Sequence, residues 1–453
     1  MPQSAHPNIM INGIIHRLPI ALALMAALFC NSTIAAGTKS FRFTDIESPD
    51  FFPILPWDPQ HTWNRPAVNE TNGLDTIAEC HFNMAGFVLP RDLPHCKKLG
   101  LGAIVLPTDP AFKSFEYFLE WKKLSDAEID RRVRDMVRAA GRNPSVAGFF
   151  ITDEPGVSDF AALGKAVAAV KKYAPGKLAY INLFPDYATL GAPDRSQLGT
   201  SNYTEYLERF VAEVRPQCLS YDNYMVQYSM DQRDRAKAAG YYRNLLEFRR
   251  VAQKHNLPCL NIVCSNQIRP GHPPPSPANL LLQAYTTLAA GYKGVSWYTY
   301  YGRGYRYAPI GMDGQKTLTW EYLREMNRQI ATLAPVLCRL RSTGVYFTAP
   351  ALADDLPALP GAAVSAVTCE TPVMVGEFSD VSGVAYAMLV NLSLERSAKV
   401  VPTPKVASAR VEMISAIDGR RRTLDLVKDE LWLNAGQGTL LQFENQAVDK
   451  LAN

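Results

Sequence analysis

One unit repeats along most of this chain: a short apolar strand, a polar loop, then an amphipathic helix. Eight strands of this kind are predicted, at Phe52 to Trp57, His81 to Leu89, Gly102 to Pro107, Val146 to Ile151, Leu178 to Leu183, Cys218 to Tyr221, Cys259 to Cys264 and Gly294 to Tyr300. Helices fit Ser125 to Ala140, Phe160 to Tyr173, Tyr203 to Val214, Ala236 to His255, Asn279 to Ala290 and Leu318 to Leu333. In the first of these helices Ile129, Val133, Met136 and Val137 share one face, and Arg131, Arg132 and Arg134 another. Ser125 with Glu128 forms a capping box at its start. Strands alternating with helices argue for a parallel α/β architecture, and eight units favour a closed (β/α)8 TIM barrel over a doubly wound sheet. No Gly-x-Gly-x-x-Gly or phosphate loop follows a strand, which weakens dinucleotide and nucleotide alternatives.

The fourth strand delivers the most chemistry. Gly148-Phe149-Phe150-Ile151-Thr152-Asp153-Glu154-Pro155-Gly156 runs from apolar residues into adjacent carboxylates and then a Pro-Gly break. An apolar run of this kind suits a strand covered on both faces, and Pro155 stops it. In a barrel, Asp153 and Glu154 would then stand at the C-terminal rim, where that fold builds its active sites. The bland alternative is an Asp-Glu pair that caps the next helix.

The chain has 453 residues, 47% of them hydrophobic and 10% aromatic, enough for a sizeable core. Residues 1 to about 36 read as an export signal: His16-Arg17, an apolar core from Leu18 to Phe29, then Ala35-Ala36. The apolar run is too short to span a bilayer, so the expected product is a soluble protein outside the cytoplasm, periplasmic or extracellular. Its formal charge of +4 includes Arg17, and no basic stripe appears, which argues against a nucleic-acid partner. Seven of the eight Cys follow that segment, with no Cys-x-x-Cys spacing. They suit neither a zinc site nor a disulfide scaffold. No cofactor is expected, and the oligomeric state is not legible.

After Leu340 the pattern changes to short alternating strands bounded by Gly, Pro, Asp and Ser. Gly344 to Thr348, Val373 to Phe378, Gly383 to Asn391, Ala398 to Val401, Ala409 to Ile417 and Gly438 to Phe443 predict a smaller antiparallel β-sandwich. The predicted organisation is therefore a signal over 1–36, a barrel over 41–337 and a sandwich over 340–447.

Several stretches together resemble secreted bacterial glycoside hydrolases that carry a catalytic barrel followed by a small β domain. They are Gly148 to Gly156, Leu219-Ser220-Tyr221-Asp222-Asn223-Tyr224, Ala284 to Tyr301, Leu389-Val390-Asn391 and Asn434 to Leu441. The wider likeness is to barrel glycosidases with an acid/base Glu after the fourth strand. Glu154 matches that position, and Asp153 stands where those enzymes usually have Asn. Their nucleophilic Glu at the end of the seventh strand has no counterpart here: no Asp or Glu occurs from Cys259 to Ala278, and Ser265, Asn266 and Gln267 occupy the rim.

Glycosidic cleavage needs a protonated carboxylic acid for the leaving oxygen and usually an ionised carboxylate as nucleophile or base. The resemblance implies Glu154 as the acid. Its partner must come from another strand end, with Asp58, Asp186, Asp222 and the adjacent Asp153 as candidates. Asp222 is favoured because Tyr221 and Tyr224 flank it and could tune its carboxylate. Sugar rings pack on aromatic faces, so Trp57, Tyr221, Tyr224, Trp297, Tyr298 and Tyr300 are candidate walls of a carbohydrate site, although alternation sends part of them into the core. Asn83 and Asn182, with Asp58, could bond sugar hydroxyls. Two other readings stay open: a barrel that binds carbohydrate but has lost its nucleophile, and a metal-dependent hydrolase or deacetylase, weakened by seven His without ligand spacing.

Overall fold

The computed structural model describes residues 51–57, 73–106, 120–224, 235–302, 304–348 and 352–445. Asp58 and the predicted export segment lie outside these residues. Eight parallel strands follow in chain order: β1 (Ile54–Pro56), β2 (Met84–Val88), β3 (Gly102–Val105), β4 (Val146–Asp153), β5 (Leu178–Asn182), β6 (Leu219–Asp222), β7 (Cys259–Cys264) and β8 (Val295–Tyr298). They pair as two four-stranded sheets, β2-β3-β4-β5 and β6-β7-β8-β1.

The sheets meet at two seams. At one, the Leu183 N–H just past β5 donates to Ser220 O of β6 at 2.8 Å. At the other, a side chain stands in for a ladder: Asn83 Nδ2 donates to Phe52 O at 2.7 Å, and its Oδ1 accepts from the Ile54 N–H at 2.8 Å. Asn83 precedes β2, at the face opposite the strand C-termini, and its amide is spent on backbone. The expectation that it bonds sugar is therefore corrected: the seam at β1–β2 needs that amide for itself.

Alternation along the strands sorts side chains into two layers. Leu55, Phe87, Ile104, Phe150, Tyr180 and Ile262 point inward and fill the interior. Phe149, Ile181, Tyr221, Val263 and Trp297 point outward beneath the helices. Those helices are α1 (Leu74–Glu79), α2 (Leu93–Leu99), α3 (Asp126–Ala140), α4 (Phe160–Tyr173), α5 (Tyr203–Val214), α6 (Arg235–Lys254), α7 (Pro277–Ala289) and α8 (Leu318–Leu337). Ser125, Asn202 and Ser276 start α3, α5 and α7, each side chain accepting a backbone N–H from the first turn. None of the described helices is long and apolar enough to cross a membrane.

From Arg341 onward the strands are antiparallel. The main sheet has six, in the order β16 (Arg421–Leu424), β15 (Ala409–Ile414), β18 (Gly438–Asn445), β12 (Ala385–Asn391), β11 (Val373–Ser379) and β9 (Arg341–Phe347). Two ribbons, β10 (Val364–Thr368) with β14 (Val401–Pro404) and β13 (Ala398–Lys399) with β17 (Trp432–Leu433), cover one face. Val364, Val375, Leu389, Val400, Leu433 and Leu441 form the core between. The other face holds Met374, Phe378, Met388 and Leu440 in the same hydrophobic cluster as Tyr285, Leu288 and Ala289 of α7. This explains why α7 is buried almost all round. Its approach is close: a Cβ on Gly376 would lie 1.9 Å from Ala289 O, and one on Gly438 would lie 2.4 Å from the Tyr285 ring.

Candidate active site

Three carboxyl groups converge at the C-terminal ends of β4, β5 and β6, and local backbone features put them there. Between Phe150 and Thr152 the register of β4 against β5 skips one residue, so Phe150 pairs with Tyr180 but Asp153 pairs with Asn182. Tyr180 points inward, and two residues on so does Asn182. Without the skip, Thr152 would stand opposite Asn182 and Asp153 would fall on the outer layer; the bulge re-aims the acid. Glu154 follows with φ 47°, a left-handed conformation that costs a residue with a Cβ roughly 1–2 kcal/mol. Its N–H donates to Asn182 O at 2.9 Å, and the Tyr206 hydroxyl of α5 holds the next carbonyl, Pro155 O, at 2.8 Å.

Asp222 ends β6 opposite Ile262, an interior residue, and is itself buried. Asn182 ties the cluster together. Its Nδ2 donates to Asp153 Oδ1 at 3.0 Å and to Asp222 Oδ1 at 2.9 Å. Its Oδ1 accepts from Ser220 Oγ at 3.1 Å, and Ser220 Oγ lies 2.9 Å from the Tyr180 hydroxyl. With both amide protons on carboxylates, the donors run in one direction, from Tyr180 to Ser220 to Asn182. Below lies an aromatic floor in which Trp57 meets Phe87 edge-on at 4.7 Å and Tyr180 at 5.6 Å.

Burial and mutual repulsion separate the acids. Burial, then the charges of Asp222 and Asp153, then a hydrogen bond to Asp222 push Glu154 up to about 9. Burial and the charge of Asp153 push Asp222 up to about 7, opposed by the hydrogen bonds it receives from Asn182, backbone and Glu154. Two adjacent buried carboxylates cannot both ionise cheaply, and the stronger upward push falls on Glu154, which is therefore the last of the pair to lose its proton. Asp186, after β5, is pushed up to about 6 by burial, and the Asn244 amide accepts its backbone N–H.

The wall beside Asp222 is aromatic. Tyr224 stacks on Tyr298 with ring centroids 5.2 Å apart. Tyr298 meets Tyr305 at 5.7 Å, their hydroxyls 2.9 Å apart. At the end of β7, Asn266 Nδ2 donates to Tyr298 O at 3.0 Å, while its buried Oδ1 has no partner among the described residues.

Of the residues expected to line the site, Glu154, Asp153, Asp222, Asn182, Tyr224 and Tyr298 are brought together. Three aromatics are not. Tyr221 lies on the outer layer, stacked on Phe248 of α6 at 4.2 Å, so it cannot tune Asp222, whose side-chain hydrogen bonds come from Asn182 and Glu154 instead. Trp297 also points outward, its Nε1 donating to Asn327 of α8 at 2.9 Å. Continued alternation would put Tyr300 on the same side as Tyr298, but β8 ends at Tyr298 and the alternation ends with it. Its hydroxyl is buried against Thr76 at 2.8 Å and Trp320 at 3.0 Å. Trp57 faces inward but is 2% exposed, which makes it floor rather than platform. Ser220, Tyr180 and Tyr305 were missed; the first two stand two residues before Asp222 and Asn182, on the same strand face.

No protein-family model matches the chain, and no curated protein matches it in sequence. Solved structures do resemble it. A glycoside hydrolase family 5 structure from Bacteroides vulgatus ATCC 8482 superposes with a TM-score of 0.51 at 11% identity, over 88% of this chain and 90% of that one. What they share is the fold. A β-galactosidase from the psychrophilic Marinomonas ef1 gives 0.48 at 12% identity over 64% of this chain, which spans 62% of that protein. An Anoxybacillus α-amylase gives 0.45 at 10% identity, over 88% of this chain and 99% of that one.

Proposed function

We propose that this chain is an exported glycoside hydrolase that cleaves poly- or oligosaccharides with Glu154 as general acid and Asp222 as nucleophile. The observation that carries the reading is the contact of two carboxyls, Glu154 and Asp222, at the C-terminal strand ends, with Asp222 buried and bonded to Asn182 and the stronger upward push falling on Glu154. A proton donor must stay protonated at working pH, and a nucleophile must not. Asn182 supports the division: its amide proton stabilises the ionised form of Asp222. Asp153, bonded to the same amide, adds the negative charge that keeps the proton on its neighbours. Tyr224, Tyr298 and Tyr305 offer the aromatic wall for a sugar ring, and Asn266 Oδ1 offers an acceptor for a hydroxyl.

In the proposed reaction the glycosidic oxygen and anomeric carbon enter between the two carboxyls, displacing their mutual hydrogen bond. Glu154 gives its proton to the leaving oxygen as Asp222 bonds to the anomeric carbon, forming a glycosyl ester. Glu154, now a carboxylate, takes a proton from water, which attacks the same carbon and releases Asp222. Two displacements retain the anomeric configuration. Retaining pairs stand roughly 5–5.5 Å apart and inverting pairs roughly 6.5–9.5 Å, so a substrate that parts this hydrogen-bonded pair reaches the retaining separation with the smaller movement. Proton NMR of the first-formed sugar on a substrate from an oligosaccharide panel tests this: the retained anomer is expected, and the inverted anomer would remove Asp222 as nucleophile. The acid-free end of β7 favours a second reading, a barrel that binds carbohydrate without cleaving it; saturable binding with no product after prolonged incubation would select it.

A further inference from the structure

A cavity lies on the face of the barrel opposite the carboxyl cluster, and its charge is unlike that of the cluster. It has a volume of about 1120 Å³ and lies where the N-terminal ends of β6, β7 and β8 meet the start of β9. Arg249, Lys293, Arg339 and Arg341 line it, and no Asp or Glu is among its described lining residues. Lys293 has a structural use: its Nζ donates to Leu337 O at 2.8 Å and Leu340 O at 2.7 Å, capping the end of α8. Arg249 is different. Its guanidinium bonds a neutral group, Ser342 Oγ, at 2.8 and 3.3 Å, and the acidic groups that face it are a thiol and two phenols, Cys259, Tyr292 and Tyr346. Burial penalises its charge, and no carboxylate among the described residues pairs with it to offset the penalty.

We infer that this cavity binds an organic anion, a small molecule bearing a phosphate or a carboxylate, with Arg249 and Arg341 as its charge partners. A planar guanidinium held from one side by Ser342 presents its remaining N–H groups to an oxyanion in a fixed orientation. The cavity exceeds what an inorganic ion fills and suits a molecule of metabolite size, for which pockets of roughly 300–1,000 Å³ are usual. The site is separate from the carboxyl cluster, so occupancy there does not compete with substrate.

Isothermal titration of the full chain tests the inference, with glucose 6-phosphate and D-glucuronate as probes, glucose as the neutral control, and chloride added to hold ionic strength constant. At least one anionic probe is expected to bind at a single site while glucose does not, and which one binds identifies the phosphate or carboxylate source. Arg249→Gln should weaken that binding at least tenfold, and Arg341→Gln, at an exposed position, should weaken it severalfold without threatening the fold. Hydrolysis by Arg249→Gln should match the parent. Binding that is undetectable for both anions, or unchanged in both variants, overturns the assignment.

Discussion

Holding Asp222 and Glu154 together in a buried site should cost the protein stability in a pH-dependent way, and Asp222→Asn should expose the cost. Burial and Asp153 raise Asp222 from its ordinary 3.8 to about 7 in the folded protein. Its contribution is therefore most favourable below about pH 4 and is lost as pH rises to 7, because the unfolded chain releases this proton first. At roughly 1.4 kcal/mol per unit, three units of displacement correspond to about 4 kcal/mol at most. Removing the Asp222 charge also lowers Glu154, which acts in the same direction. Urea unfolding of both proteins at pH 4, 6 and 8 should show the stability difference moving by about 2 to 4 kcal/mol in favour of Asp222→Asn between the extremes. Other titrating groups, such as Asp186, are common to both proteins and cancel. Parallel stability curves would refute the placement of these carboxyls in one buried contact.

Asn182→Ala should lower kcat by about 10- to 100-fold, in the range of losing a second-layer hydrogen bond, and should move the acid limb of the pH profile upward, because its amide lowers Asp222. A smaller kcat with an unmoved limb would make Asn182 merely structural. Gly376→Ala should destabilise the chain by about 2–3 kcal/mol or more in urea unfolding, since its Cβ would collide with Ala289 O at 1.9 Å. A wild-type midpoint would mean that α7 does not pack on the main antiparallel sheet as described.

Much of the fold was legible because two periods dominate the chain: apolar runs bounded by Pro and Gly for the parallel strands, and a 3.6-residue apolar stripe for helices such as α3. The antiparallel strands were legible as a region but not in detail. Ala398 to Val401 was predicted as one strand, whereas Val400 turns into the core and divides it between β13 and β14, which pair with different partners. In the site, Asp222 and Asn182 could be found from strand-end position. Their neighbours Ser220 and Tyr180 follow from parity, which also assigns Tyr221 and Trp297 to the outer layer. Nothing local announces the register skip that turns Asp153 inward or the left-handed backbone of Glu154, since both arise from pairing with β5. Asn83 illustrates the same limit: a polar residue beside a strand reads as a ligand contact until the seam it bridges is known.

In the proposed reaction Glu154 delivers the proton while Asp222 stays ionised, and the pH dependence of kcat/KM tests this division most directly. On a glycoside with a poor leaving group, the wild-type profile should be bell-shaped, with limbs near the apparent values of the pair, about 7 and about 9. Glu154→Gln should lower kcat/KM by about 10² or more and abolish the alkaline limb, because no acid remains to be lost. A variant that keeps the same alkaline limb, or the wild-type rate, would contradict the claim.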